Sequence, residues 1–141
     1  MTLIKLTSGS FTFTAKLEED KAPETCAWFL NRLPMKLEMI QAAWSGMAVF
    51  SGLQGQGLEV PFEKATSYPG KGEVIMYPGD AKGNGGEIYI PYGGNCFACP
   101  TGQLAGNHFL TIIEGMDQLP EYGRHTRYKG AQEIVFEAMD V

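Results

Sequence analysis

Residues 11–34 read FTFTAKLEEDKAPETCAWFLNRLP, and this stretch decides the fold. Phe11, Phe13, Ala15 and Leu17 alternate with Thr12, Thr14 and Lys16, the two-residue period of a strand buried on one face. Glu18, Glu19 and Asp20 follow, where negative charge favours a helix N-terminus. Pro23 suits a first helical turn because its missing N–H has no intrahelical partner there. Ala22, Cys26, Phe29, Leu30 and Leu33 then recur at helical spacing and make one buried face. The pattern predicts a helix over residues 23–32, ended at Leu33-Pro34 because the residue before a proline is pushed out of the helical region.

Outward from this stretch the chain reads as strands. The first is expected at residues 2–7, before a Ser8-Gly9-Ser10 turn. Others are expected at 35–43, 47–50, 73–77, 87–92, 108–114 and 132–139, with Trp44-Ser45-Gly46 as a bend or bulge. Met116 to Tyr122 reads as a short helical piece. The Gly- and Pro-bearing stretch 51–71 is long for a loop, and loops of that length usually carry function or move. Gly83-Asn84-Gly85-Gly86 reads as a strand-connecting turn that needs positive φ. No repeat or interdomain linker is visible, so residues 1–141 form one domain.

A chain of 141 residues with 44% hydrophobic content buries about two thirds of its unfolded surface without help from a metal or disulfide. Eighteen glycines and eight prolines point to a turn-rich β protein. A net charge of −5 argues against a nucleic-acid surface. The densest basic cluster, Arg124, His125, Arg127 and Lys129, reads as a solvated turn and strand end. MTLIKLTSG lacks the apolar core of a signal peptide, and no apolar run approaches the ~20 residues that span a bilayer. Three cysteines, an odd number, disfavour a secreted disulfide framework. The expectation is a cytoplasmic protein without nucleic-acid or membrane partners, with self-association left open.

With these elements placed, two segments carry a resemblance. DKAPETCAWFLNRL (20–33) resembles the helix entry of cyclophilin-type peptidyl-prolyl isomerases, and NHFLTIIEGMDQL (107–119) resembles a barrel strand and the segment after it. A fuller resemblance is to a family of bacterial and archaeal cyclophilin-like proteins with no settled biochemical function. WSG (44–46), PFEKATSYPGKGEVIMYPG (61–79), GGEIYIPYGG (85–94), TGQLAGNHFLTIIEG (101–115) and YKGAQEIVFE (128–137) carry it over nearly the whole chain. The resemblance implies a mainly β fold: a closed cyclophilin-like barrel of about eight strands, one main helix and a short second helical segment. It implies no particular activity. Cyclophilin catalysis rests on an arginine beside a proline pocket, whereas the corresponding strand here reads AAWSGMAVF, and no arginine lies between Arg32 and Arg124.

Several residues could carry chemistry. Cys96 and Cys99 form a C-x-x-C that suits an inert pair, a redox dithiol or half a metal site. No second pair completes a metal centre, and no cofactor is expected. His108 follows a glycine-rich loop, where it is either a strand cap or a general base or ligand. Trp44 is either core or the stacking wall of a pocket. Ser45 lacks the surroundings of a hydrolase nucleophile. Glu63 and Glu87 flank two loops expected to meet at one rim, amid Tyr68, Tyr77, Tyr89 and Tyr92, a mixture that is either surface decoration or suits a small ligand bearing amine or amide donors. The expected function is binding of a small polar metabolite in a pocket lined by Trp44, Glu63, Tyr92, Asn107 and His108. An enzyme, either a prolyl isomerase or a small-amide-processing one, and an accessory interaction subunit are the alternatives.

Overall fold

The strand periodicity resolves into a sheet that closes on itself. The computed structural model describes residues 1–80 and 85–139. Its strands are β1 (Leu3–Ser8), β2 (Phe11–Leu17), β3 (Met35–Gln41), β4 (Gly46–Gly52), β5 (Glu73–Tyr77), β6 (Glu87–Asn95), β7 (Ala98–Cys99), β8 (Gly102–Gln103), β9 (Asn107–Glu114) and β10 (Gln132–Ala138). Eight of them close a barrel in the order β1-β10-β3-β4-β6-β5-β9-β2, and β7 and β8 form a separate two-stranded ribbon. Every pairing is antiparallel. This is the cyclophilin-like barrel that the resemblance implied. The turn expected at Gly83-Asn84-Gly85-Gly86 begins outside the described residues.

Inward-facing residues of alternating strands fill the barrel: Ile4 and Leu6, Phe13 and Ala15, Met35 and Met39, Ile134 and Phe136 are all buried. β5 and β6 behave differently. Val74 to Tyr77 and Ile88 to Tyr92 are buried on both faces, as their nearly continuous apolar sequence suggests. Their outer face is covered by a second apolar cluster in which Ile75, Tyr77 and Tyr89 pack with Ala42, Ala48 and Phe97. The connections around residues 42–45 and 95–104 thus form an outer layer over this side of the barrel.

The two helices cap the interior from different ends. α1 (Pro23–Leu30) buries Thr25, Cys26 and Phe29, and the Phe29 ring meets Phe109 and Phe136 edge-on at 5.0 and 5.5 Å. The helical stretch read as 23–32 stops two residues sooner, with Arg32 Nε donating to the Gln56 carbonyl at 2.9 Å. The second helical piece, read as ending at Tyr122, is longer. A 3₁₀ turn (Met116–Gln118) leads into α2 (Leu119–Lys129), whose Tyr122 ring stacks edge-on against Phe11 and Phe13 at 5.3 and 5.7 Å. Its sequence, LPEYGRHTRYK, mixes strong helix formers with a proline, a glycine and four residues of middling propensity, so burial of one face adds to propensity in holding it. The basic cluster Arg124, His125, Arg127 and Lys129 accordingly lies on a helix, not at a strand end, and Arg124 pairs with Glu121 at 2.7 Å.

Gly123 shows how closely α2 approaches the barrel. A Cβ there would fall 2.3 Å from the Tyr92 ring. Replacing Gly123 by Ala is expected to cost about 1–3 kcal/mol through overpacking, despite the better helix propensity of alanine. Phe29→Ala, which empties the other end, is expected to cost about 3–5 kcal/mol. Urea denaturation of both variants checks the pair. A more stable Gly123→Ala protein would show that α2 does not sit on Tyr92.

Candidate functional site

The five side chains expected to share a pocket do not surround one cavity. Glu63 and Asn107 are tied to each other and to α1. Ala22, the residue before Pro23, has no side chain able to cap the helix, so the first N–H groups look elsewhere. Glu63 supplies what is missing: its carboxylate accepts the N–H of Glu24 at 3.1 Å, the N–H of Thr25 at 2.8 Å and the Thr25 hydroxyl at 2.6 Å. The Glu63 N–H donates to Asn107 Oδ1 at 2.8 Å, while Asn107 Nδ2 donates to Thr25 Oγ1 at 3.0 Å and to the Pro61 carbonyl at 2.9 Å. Asn107 is fully buried, and both ends of its amide are engaged. These two residues build the scaffold.

Tyr92 is buried under Gly123, and its hydroxyl donates to Gln41 Oε1 at 2.7 Å. Its exposed edge joins Arg127 and Met47 in a shallow depression. His108 lies in another cavity, with Lys21, Lys64, Thr66, Tyr68 and Glu73. Trp44 lines a third. Glu63 and Glu87 therefore do not meet at one rim.

The Trp44 cavity has the strongest chemical character. It has a volume of about 200 Å³ and lies in the outer layer over β4 and β6, between Trp44, Phe50, Tyr89, Pro100, Glu87 and Cys99. Trp44 is 63% exposed and so is a wall, not core. The bend that presents it is fixed by Gly46, whose φ of 100° excludes a side chain and whose Cβ position lies 2.9 Å from the Gly94 carbonyl oxygen. Ser45, buried beneath, exchanges hydrogen bonds with the Ala98 backbone at 3.0 and 3.1 Å. Its hydroxyl is thereby used to clasp the β7–β8 ribbon over the cavity. Tyr89, on the floor, donates to Asn95 Oδ1 at 2.8 Å.

Glu87 is the one carboxyl in this lining. It opens an otherwise apolar strand and makes no hydrogen bond or ion pair with another described residue. Burial pushes it up to about 7, because an ionised carboxyl loses hydration there with nothing to replace it. Perturbed acids of this kind are found preferentially at functional sites.

The thiols are unconnected to any metal cluster among the described residues. Cys96 and Cys99 are free, and Cys99 Sγ lies 3.1 Å from the Thr101 hydroxyl, which holds its thiol below the usual range. Cys26 faces the core, and burial pushes it up to about 12. None of the three arginines lines the Trp44 cavity. Arg32 stacks over Trp28 at 4.5 Å, Arg124 pairs with Glu121, and Arg127 lies over Tyr128 at 5.6 Å.

Sequence reasoning named Trp44 and Glu87 but gave Glu87 the wrong company. It missed Phe50 and Pro100 here, and Lys21 and Lys64 beside His108. The available signal was a single carboxylate at the head of the apolar run EIYIPY.

A closed eight-stranded antiparallel barrel capped by two helices is a cyclophilin-like fold. The chain belongs to the family described as protein of unknown function (DUF3830), whose model matches residues 4–138. No curated protein matches its sequence. Among solved structures it is similar to McbB in complex with tryptophan, with a TM-score of 0.72, 16% identity and 95% of this chain covered. The match spans only 44% of the McbB chain. It is similar over 99% of its length to a cyclophilin type peptidyl-prolyl cis-trans isomerase of Cryptosporidium parvum, with a TM-score of 0.63, 15% identity and 98% of that chain. The hypothetical protein AF2241 from Archaeoglobus fulgidus gives a TM-score of 0.61 at 16% identity, covering 98% of this chain and 95% of that one. At these identities the likeness is one of fold. No helix among the described residues is long and apolar enough to cross a membrane.

Two expectations follow. Asn107→Ala should cost about 2–3 kcal/mol, because it strands the Glu63 N–H and the Pro61 carbonyl together; chemical denaturation measures it. For Glu87, the folded value lies above the ordinary 4.5, so the folded protein binds the extra proton and this carboxyl's contribution to stability falls as pH rises from about 4.5 through 7. Glu87→Gln removes that loss. Its gain in melting temperature should be larger at about pH 8 than at about pH 5, and an equal change at both would mean that Glu87 is hydrated.

Proposed function

We propose that the protein binds a small polar metabolite in the Trp44 cavity, with an amine or amide donor directed at Glu87 and a flat or apolar part against Trp44 and Phe50. The observation that carries this reading is the partly buried Glu87 carboxyl, without a hydrogen-bond or ion-pair partner among the described residues, in a cavity whose other walls are largely apolar. A carboxylate so placed costs stability when ionised, and a ligand N–H or ammonium offsets that cost. Trp44 and Phe50 supply stacking surface that water satisfies poorly. A volume of about 200 Å³ falls below that of sites for drug-sized ligands, which favours a compact ligand. The tryptophan in the McbB complex unites an ammonium group with an aromatic plane, so aromatic amino acids and amines form the first panel to test.

Prolyl isomerisation is the weaker reading. The cavity offers no arginine to a twisted imide carbonyl, and such an electrostatic donor normally carries a large share of catalysis.

Thermal shift across amines, amides and amino acids tests the proposal. A ligand at 100 times its Kd adds about 2.7 kcal/mol. Hits should shift the wild type more at about pH 8 than at about pH 5.5, because ionised Glu87 is the acceptor, and should lose affinity by ~10-fold or more in Glu87→Gln and in Trp44→Ala. Hits indifferent to both substitutions would place the binding site elsewhere, and a panel without hits among donor-bearing compounds would sink the proposal.

A further inference from the structure

We propose that the cavity beside His108 is a second, separate site, which binds a small monocarboxylate carrying a hydroxyl group, held by the ammonium groups of Lys21 and Lys64. The cavity has a volume of about 330 Å³ and is lined by Lys21, Lys64, Thr66, Tyr68, Glu73 and His108. It shares no lining residue with the Trp44 cavity.

The hydrogen bonds around His108 run in one direction. Lys21 Nζ lies 3.2 Å from His108 Nδ1, and an ammonium group can only donate, so Nδ1 is the acceptor. The ring proton is then on Nε2, which donates to Thr111 Oγ1 at 2.7 Å. The Thr111 hydroxyl in turn donates to Glu18 Oε2, and Glu18 is 3.7 Å from Lys16 Nζ. Burial first, then the charge of Lys21, holds His108 below its ordinary value. The imidazole is therefore neutral near pH 7, its tautomer is fixed, and its Nδ1 edge is directed towards Lys21.

Lys64 is held there at a conformational cost. Its φ of 47° makes it the one non-glycine residue with positive φ among the described residues, a left-handed conformation that is strained for such a side chain. Both flanks are anchored: the Glu63 N–H donates to Asn107, and Thr66 and Gly106 exchange backbone hydrogen bonds at 2.9 Å. Glycine or asparagine would occupy this position with less strain. A lysine maintained in a strained position at the rim of a cavity already holding Lys21 is accounted for by its charge.

The ligand class follows from the charge balance. Two ammonium groups and one carboxylate, Glu73, face the cavity, leaving one net positive charge for one anionic group. Glu73 Oε1 accepts the Gly70 N–H at 2.5 Å, and its carboxylate is also positioned to accept a ligand hydroxyl. A dianion such as phosphate would meet Glu73 with an excess of negative charge. When a carboxylate engages Lys21, that ammonium group is drawn from Nδ1 and negative charge is added beside the ring. Both effects raise the proton affinity of His108. The charges that act on it are Lys21, which lowers its proton affinity, and Glu73 and Glu18, the latter paired with Lys16, which raise it.

Lactate, with chloride and inorganic phosphate as comparators, is the probe. The chain has two histidines, His108 and His125, whose rings are resolved by long-range proton–nitrogen NMR. Millimolar lactate should move the His108 ring signals and raise its apparent pKa by about half a unit or more, leave His125 unchanged, and act equally on Glu87→Gln. Lys21→Met and Lys64→Gly should each weaken binding by ~10-fold or more while the protein stays folded. A His108 response no greater with lactate than with chloride would overturn the site, as would a response that survives both lysine substitutions. Phosphate binding more tightly than lactate would overturn the monocarboxylate assignment.

Discussion

The buried amide of Asn107 is the constraint on which the rest of the molecule depends. It joins three segments distant in sequence: the start of β9, the N-terminus of α1 through Thr25, and the loop at Pro61 and Glu63. A helix entered through Ala-Pro cannot cap itself, so its orphan N–H groups require an acceptor from elsewhere. Glu63 reaches that position only because its own backbone is held by Asn107. One satisfied polar cluster thus closes the barrel end under α1 and fixes the course of the long loop. Half-satisfied, the same cluster would cost more than an apolar replacement.

From that anchor the loop acquires its chemistry. The backbone held at Glu63 and again at Thr66 forces Lys64 into a left-handed conformation next to Lys21 and His108. In the outer layer, the bend at Trp44 and the β7–β8 ribbon, clasped through Ser45, cover the outer face of β4 and β6 and leave the Trp44 cavity. Both places depart from what stability alone would select. One holds a lysine at positive φ and the other a carboxylate without a hydrogen-bond partner among the described residues. Local departures of this kind are where function concentrates in otherwise well-satisfied structures.

The strands and α1 were legible because their signals are local and redundant, and the family resemblance implied that they close a barrel. Alternation at Phe11 to Leu17, the apolar runs of β5 and β6, and the helical spacing of Cys26 and Phe29 each follow from burial on a regular element. α2 was only half legible, since its stability comes from Tyr122, Leu119 and the contact of Gly123 with Tyr92, all made across the barrel. Of the site, Trp44, Glu87 and His108 could be singled out as residue types able to carry chemistry. Their grouping could not, because sequence neighbours such as Glu87 and Tyr92 alternate between the two faces of one strand and serve different surroundings.

The sequence by itself determined the strand and helix periods, because hydrophobic patterning is a property of consecutive residues, and its resemblance to the cyclophilin-like family implied the closed barrel. Only the tertiary structure decided what the polar residues are for. It assigned Glu63 and Asn107 to the scaffold by satisfying them, and left Glu87 without a hydrogen-bond partner among the described residues. The physical reason is that a carboxylate's role depends on which donors reach it and how much water it loses. Both are set by segments far away along the chain.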